Sequence, residues 1–338
     1  MADVARVAGV SAQTVSRVLR DHPNVTPATR ARVLAAIEET GYRRSSLARA
    51  LVTGRTRTLG VITQETDFYS KSSMLLGMQT AARASGYFIS TASTASLSST
   101  AIEEAVDRLL DQGVDGLVLA VPVSDDVAIG RLTAGVPTVV IDGMRALATE
   151  IVAVDQIAAG RLATDHLLGL GHATVWHLAG PESWHDAMGR ASGWRAALIE
   201  AGKEVPPMLH GDWTPESGYR QGLLLGRMAE VTAVFVASDE MAFGVIRALT
   251  ELGRHVPQDV SVVAMDDIAL AAYASPPLTT IRQPFHEMGR RAVDHALALI
   301  ADPDAVHEAE IVQPELVVRS TTAPPSPDAP ARAPDRRA

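Results

Sequence analysis

Gln13 and Arg17 stand four residues apart in "SAQTVSRVL", residues 11–19, so on a helix they share one face. An amide and a guanidinium so placed suit bidentate bonding to base edges, glutamine to adenine and arginine to guanine. Thr14, Ser16 and the helix N-terminus would then hold phosphates. The bland alternative is that both are ordinary surface residues. Catalytic patterns are missing: the chain has no GxSxG elbow, no GxGxxG or Walker loop and no HExxH. His172, His177 and His185 lack metal-ligand spacing, and His177, inside an apolar run, reads as a satisfied core histidine. Asp266 and Asp267 are adjacent, so an extended strand end would point them to opposite sides, which is poor geometry for paired acid–base work. These residues predict a binding protein and no enzyme, with no metal and no cofactor.

The elements that must position Gln13 and Arg17 are three short helices. Ser11 suits an N-cap for a helix from Ala12 to about Arg20, with Val15, Val18 and Leu19 inward. Ahead of it "ADVARVAG" gives a short helix closed by Gly9, and the pair forms a helix-turn-helix unit. A third helix begins at the Thr26 cap with Pro27 in its first position and ends at Gly41. Val4, Val7, Val15, Val18, Val33 and Ile37 are the expected core. Charge supports a polyanionic partner: residues 1–58 carry ten arginines against four acids, a net +6, whereas the other 280 residues sum to −15. A solvated helix face is the competing explanation.

From Thr58 onward β-branched apolar runs such as "TLGVIT", "VDGLVLAV", "AVFVASD" and "VSVVAMDD" alternate with segments of helical spacing at 73–85, 100–112, 160–170 and 189–201. That alternation predicts parallel sheets covered on both faces, and its length predicts two lobes with a cleft between them. Ligands of such sheets sit beyond the carboxyl ends of the strands. The Pro/Ala-rich stretch 323–338 reads as a disordered tail without heptads. Cysteine is absent, and neither a signal-peptide pattern nor a long apolar run occurs, so a cytoplasmic protein is expected.

"DVARVAGVSAQTVSRVL" followed by "VTPATRARVLAAIEETGY" resembles the headpiece of the lactose-repressor family of bacterial transcription regulators, and the similarity continues to about Thr322. The resemblance implies a small all-α helix-turn-helix headpiece (1–45), a hinge helix or linker (46–57) and a two-lobed α/β body of the periplasmic-binding-protein type (58–322). The first lobe would span about 58–154 and 285–312, the second about 155–284 and 313–322. Ala12, Gln13 and Arg17 occupy the family's base-reading positions, with Thr14, Ser16 and Tyr42 beside phosphates. Three departures stand out. Arg20 replaces the usual asparagine and adds a phosphate contact; Arg44 and Ser45 replace a Pro-Asn pair; only Met1 and Ala2 precede "DVA", where the family carries a threonine cap. In the hinge "SSLARALVTGRTRT", about eight residues are too few for a helix stable alone in water. The resemblance implies that it folds on DNA, with Ala48 and Leu51 in the minor groove and Leu51 wedged between base pairs. A flexible linker is the alternative.

For the body, the resemblance places Phe68, Asp142, Arg190, Trp213, Ser238, Asp266, Gln283 and Phe285 against a small effector, with Trp184 of "SWHD" stacking on the ligand or serving as a lid. Carboxylates, amides and a guanidinium fork onto vicinal hydroxyls, and aromatic faces cover sugar C–H surfaces. Asp239 reads instead as the cap of a helix starting at Glu240. The competing reading for Arg190 and Asp266 is a mutual salt bridge. The whole predicts a homodimeric repressor that binds a pseudo-palindromic double-stranded operator with an affinity set by a mono- or disaccharide, induction and co-repression being equally open. A solute-binding protein without DNA function is the alternative; a sugar-processing enzyme lacks a catalytic constellation.

Overall fold

The structure, a computed structural model, describes residues 1–19, 21–42, 54–65, 68–121, 133, 135–141, 151–303 and 309–327. It divides into two compact units, Met1–Thr56 and Arg57–Ala338.

The first unit holds α1 (Ala2–Ala8), α2 (Ala12–Leu19) and α3 (Pro27–Thr40). Gly9 and Gly41 close α1 and α3 in the left-handed conformation, at φ 63° and 60°, where a side chain would be strained. Thr26 caps α3 by accepting from the Thr29 amide. α1 has Met1 at its cap position and no side-chain capping bond, in keeping with the missing threonine. The core comprises Val4, Ala5, Ala8, Val15, Val18, Val33 and Ala36, with Val10, Leu19, Val25, Ile37 and Tyr42 packed against it. Val7, expected inside, is 38% exposed: on so short a helix Val4, Ala5 and Ala8 fill the inward face.

The second unit contains two six-stranded sheets. The first joins β1 (Thr58–Gln64), β2 (Phe88–Thr94), β3 (Gly116–Ala120), β4 (Thr138–Ile141), β5 (Ile151–Val154) and β11 (Glu310–Val312), all parallel, in the order β11-β5-β4-β3-β1-β2. The second joins β6 (Trp176–Ala179), β7 (Leu209–His210), β8 (Ala233–Val236), β9 (Ser261–Asp266), β10 (Thr279–Arg282) and β12 (Glu315–Val317) in the order β12-β10-β9-β8-β6-β7, with only β12 antiparallel. β7, β10, β11 and β12, of two to four residues each, lie outside the apolar runs seen in the sequence.

Helices cover the sheets: α4 (Tyr69–Ala84), α5 (Ser99–Asp111), α6 (Gln156–Gly169), α7 (His185–Glu200), α8 (Pro215–Leu225), α9 (Asp239–Glu251) and α10 (Phe285–Ala301). Apolar clusters surround each sheet, among them Leu59, Met74, Val118 and Met288 in the first lobe and Leu178, Val236, Met241 and Val262 in the second. The chain crosses between lobes three times, after β5, after β10 and after β11. Helical periodicity placed the starts of α4, α6 and α7 at 73, 160 and 189, and each begins four residues earlier. Each of these first turns opens on or carries a polar residue, Ser70 and Lys71 in α4, Gln156 in α6 and His185 and Asp186 in α7, ahead of the apolar period.

Candidate functional site

In the headpiece Ser11 Oγ accepts from the Thr14 amide at 3.2 Å and shares a hydrogen bond with the Thr14 hydroxyl at 3.0 Å. This fixes the first turn of α2. Ala12, Gln13 and Arg17 are exposed, Thr14 and Ser16 half-buried, and Val15 and Val18 point inward. Tyr42 lies half-buried against the core, with its place set by packing. Two arginines counted as surface charge have internal partners: Arg30 pairs with Asp21 and donates to the His22 carbonyl, and Arg6 pairs with Asp3. Arg20, Ala48 and Leu51 lie outside the described residues.

In the body one pocket between the lobes is lined by Phe68, Trp184, Arg190, Trp213, Ser238, Asp266, Gln283 and Phe285, all expected from the sequence, together with Ser70, Lys71, Met74, Asp186 and Glu240, which were not. Asp142 lies outside the described residues. Phe68, at the start of α4 in the first lobe, packs on the apolar cluster of the second. Next to it the Tyr69 amide donates to Glu240 Oε1 at 3.4 Å, joining the first turns of α4 and α9 across the cleft.

Arg190 is 4% exposed, and its guanidinium is held on three sides. Nε donates to Gln156 Oε1 at 2.8 Å, Nη1 to the Ala237 carbonyl at 2.5 Å, and Nη2 lies 3.9 Å from Asp186. No direct ion pair joins it to Asp266 among the described residues. Asp266 instead accepts from Gln283 Nε2 at 2.6 Å. Burial pushes the Asp266 carboxyl up to about 7; Arg190 opposes that rise, Glu240 adds to it, and the Gln283 hydrogen bond lowers it. Asp266 and Asp267 do face different partners, but the expected extended backbone is absent: φ is 117° and 55°. Asp267 pairs with Arg282 and Arg319 at 2.7 and 2.6 Å, and this anchors the turn that aims Asp266 inward.

Trp213 also has positive φ, 73°. Its ring lies over Gly180, where an added Cβ would come within 2.2 Å of Trp213 Cη2, so only glycine permits this approach. Trp184 meets Trp213 edge to face at 5.6 Å, and the Arg190 guanidinium lies 5.3 Å from the Trp213 ring centre. Lys71 Nζ lies 5.9 Å from the Trp184 ring and donates to the Ala120 carbonyl at 3.2 Å.

The capping assignment for Asp239 is corrected. Ser238 is the cap of α9, its side chain accepting from the Met241 amide, which leaves Asp239 as the first helical residue. Asp239 is fully buried and accepts from the Ile268 amide at 2.8 Å and the Thr280 hydroxyl at 2.6 Å; burial and the nearby Asp266 raise its carboxyl well above the ordinary range. His177 is a core histidine as expected but only half satisfied: Nδ1 meets the Phe235 carbonyl at 2.9 Å while the buried Nε2 has no hydrogen-bond partner among the described residues, the ring stacks on Phe235 at 4.6 Å, and burial lowers its pKa to about 3. Among the described residues no group of acids and histidines could hold a metal ion, and no helix is long and apolar enough to cross a membrane.

A three-helix headpiece with an exposed polar face on α2 and a cleft of buried polar groups therefore occur on one chain. Residues 1–45 match the bacterial regulatory proteins of the lacI family, and residues 164–322 match the periplasmic binding protein-like domain. The lactose operon repressor of Escherichia coli K12 is 34% identical over 96% of this chain and 91% of its own length. This chain belongs to the lacI family of bacterial regulatory proteins. The regulator MalR of Streptomyces coelicolor is 36% identical to this family member over 96% of both chains. The crystal structure of the lac repressor dimer bound to operator and the anti-inducer ONPF superposes with a TM-score of 0.90 at 34% identity, covering 95% of this chain and 98% of that one. A complex of the regulator CelR with cellobiose gives a TM-score of 0.72 at 32% identity, covering 94% and 98%.

Proposed function

We propose that this lacI-family protein is a transcriptional repressor that binds a pseudo-palindromic operator as a homodimer, with an affinity set by a small carbohydrate held between the two lobes of its body. The convergence of Arg190, Asp266 and Trp213 in one buried pocket, on a chain that also carries a helix-turn-helix headpiece, carries this reading. Gln13 and Arg17 contact base edges, and Ala12, with its short side chain, narrows what the helix can reach. Dimerisation doubles the specific contacts of a headpiece that reads only a few base pairs. In the body, Arg190 and Asp266 bind adjacent hydroxyls while Trp213 and Phe285 cover apolar faces. Relatives support a sugar: cellobiose occupies CelR, and the ribose operon repressor of Escherichia coli K12 is 34% identical over 95% of this chain.

The cavity measures about 40 Å³. That is room for a few waters, so a sugar ring needs more space than the pocket now offers, and movement of Lys71, Trp184 or the Tyr69–Glu240 contact would supply it. Ligand entry then changes the relation of the lobes, and it alters operator affinity to the extent that it binds one arrangement better than the other. A thermal-shift screen of mono- and disaccharides tests the assignment. Hits should lose their shift in Arg190→Ala and Asp266→Ala; undiminished shifts in both would remove the pocket from consideration.

A further inference from the structure

Gln156 is the first residue of α6, at the first crossing between lobes, and does not line the pocket. Its amide nevertheless stands between the two strongest polar groups that do. Arg190 Nε donates to Gln156 Oε1 at 2.8 Å, Gln156 Nε2 donates to Gln283 Oε1 at 2.9 Å, and Gln283 Nε2 donates to Asp266 Oδ1 at 2.6 Å. Each amide gives one bond and receives one, so the row has a single direction that begins at a pure donor and ends at an acceptor. Gln283 follows β10 at the second crossing. Both middle members therefore sit on segments that join the lobes. The contact depends on Gly189, where an added Cβ would come within 2.7 Å of Gln156 Cβ.

We propose that Gln156, acting through Gln283, is a positioning residue that ties Arg190 and Asp266 into one unit across two of the three crossings between lobes. An effector that engages either end is then felt where the lobes are joined. The proposal rests on the carbohydrate reading above for the identity of that effector, but the row itself exists without one.

Reversing one amide reports on the row. In Gln156→Glu the new carboxylate only accepts, so Gln283 must turn its Nε2 toward residue 156 and present Oε1 to Asp266. Asp266 is also faced by Arg190 and Asp186 of α7 and by Asp239 and Glu240 of α9, and is followed by Asp267, which is held by Arg282 and Arg319. Of these the substitution touches only Arg190, which donates to residue 156. The titration midpoint of Asp266 is followed in the full chain by carboxyl carbon NMR, with Asp266→Asn assigning the signal. It should rise in Gln156→Glu and stay in place in Gln156→Leu. In a Gln283→Leu background the rise should shrink to a third or less, whereas a charge acting through space would keep it. In parallel, Gln156→Leu should still bind the saccharide hit but lose at least tenfold of its effect on operator affinity. A midpoint unmoved in Gln156→Glu, a rise that persists without Gln283, or a full saccharide effect in Gln156→Leu would each overturn the proposal. A wild-type chain that answers to no saccharide strikes the carbohydrate reading instead, and the midpoints still decide the row.

Discussion

Headpiece and body solve recognition in opposite ways. In α2 the side chains assigned to base edges, Ala12, Gln13 and Arg17, are exposed, and those that hold the shape, Val15 and Val18, are a separate buried set. In the cleft the same side chains do both. Arg190, Asp266 and Gln283 are at most 8% exposed and hold each other or their neighbours before any ligand arrives. The difference teaches that substitutions in α2 should alter binding alone, whereas substitutions in the cleft should alter binding and folding together.

The largest effect that could break this contrast is electrostatic. Asp266 titrates near 7 in the folded chain and near 4 when unfolded, so the folded state holds the extra proton between those values. Stability from this group is therefore lost as pH rises from about 4 to about 7, by at most on the order of 4 kcal/mol. His177, neutral in the fold down to about 3, has the opposite slope up to about 6.5 and partly masks it. Asp266→Asn leaves the His177 contribution in place, removes that of Asp266 and relieves the neighbouring Asp239, part of whose raised carboxyl is owed to Asp266. Its melting temperature relative to wild type should rise between pH 4 and 7 and level off above; a difference constant with pH would show that Asp266 is an ordinary surface-like acid.

Gly180→Ala comes next. The methyl would collide with the Trp213 ring, and overpacking of this kind costs about 1 to 3 kcal/mol. Chemical denaturation should show that loss together with weaker saccharide binding. Loss of ligand affinity at unchanged stability would separate the two roles that the cleft is argued to combine. Arg17→Ala sharpens the other side. Operator affinity should fall by about 1 to 3 kcal/mol, most of it at one base pair, with the melting temperature unchanged. A fall of similar size on every sequence would make Arg17 a phosphate contact.

The same contrast explains what was legible in the sequence. Caps and turns at Ser11, Thr26, Pro27 and Gly41 are local signals, so α2 and α3 emerge with little help from the rest of the chain. Strands β1, β3, β8 and β9 are fully apolar at their centres and were equally plain. Lys71, Gln156 and Asp186 were missed because each is a polar residue in a helical first turn, ahead of the apolar period that marks the helix. Asp239 was misread because a cap and a buried acceptor differ by one residue, and the partners that distinguish them, the Ile268 amide and the Thr280 hydroxyl, are distant in sequence. Val7 failed for the converse reason: three smaller or better placed neighbours already filled a small core.

The central claim is that a carbohydrate in the body changes what the headpiece does on DNA. Anisotropy titration of a labelled operator, chosen by selection from genomic fragments, with and without a saturating saccharide hit, measures it most directly. The expected change in operator affinity is about 5- to 150-fold, in either direction. Equal affinities with the saccharide demonstrably bound would contradict it.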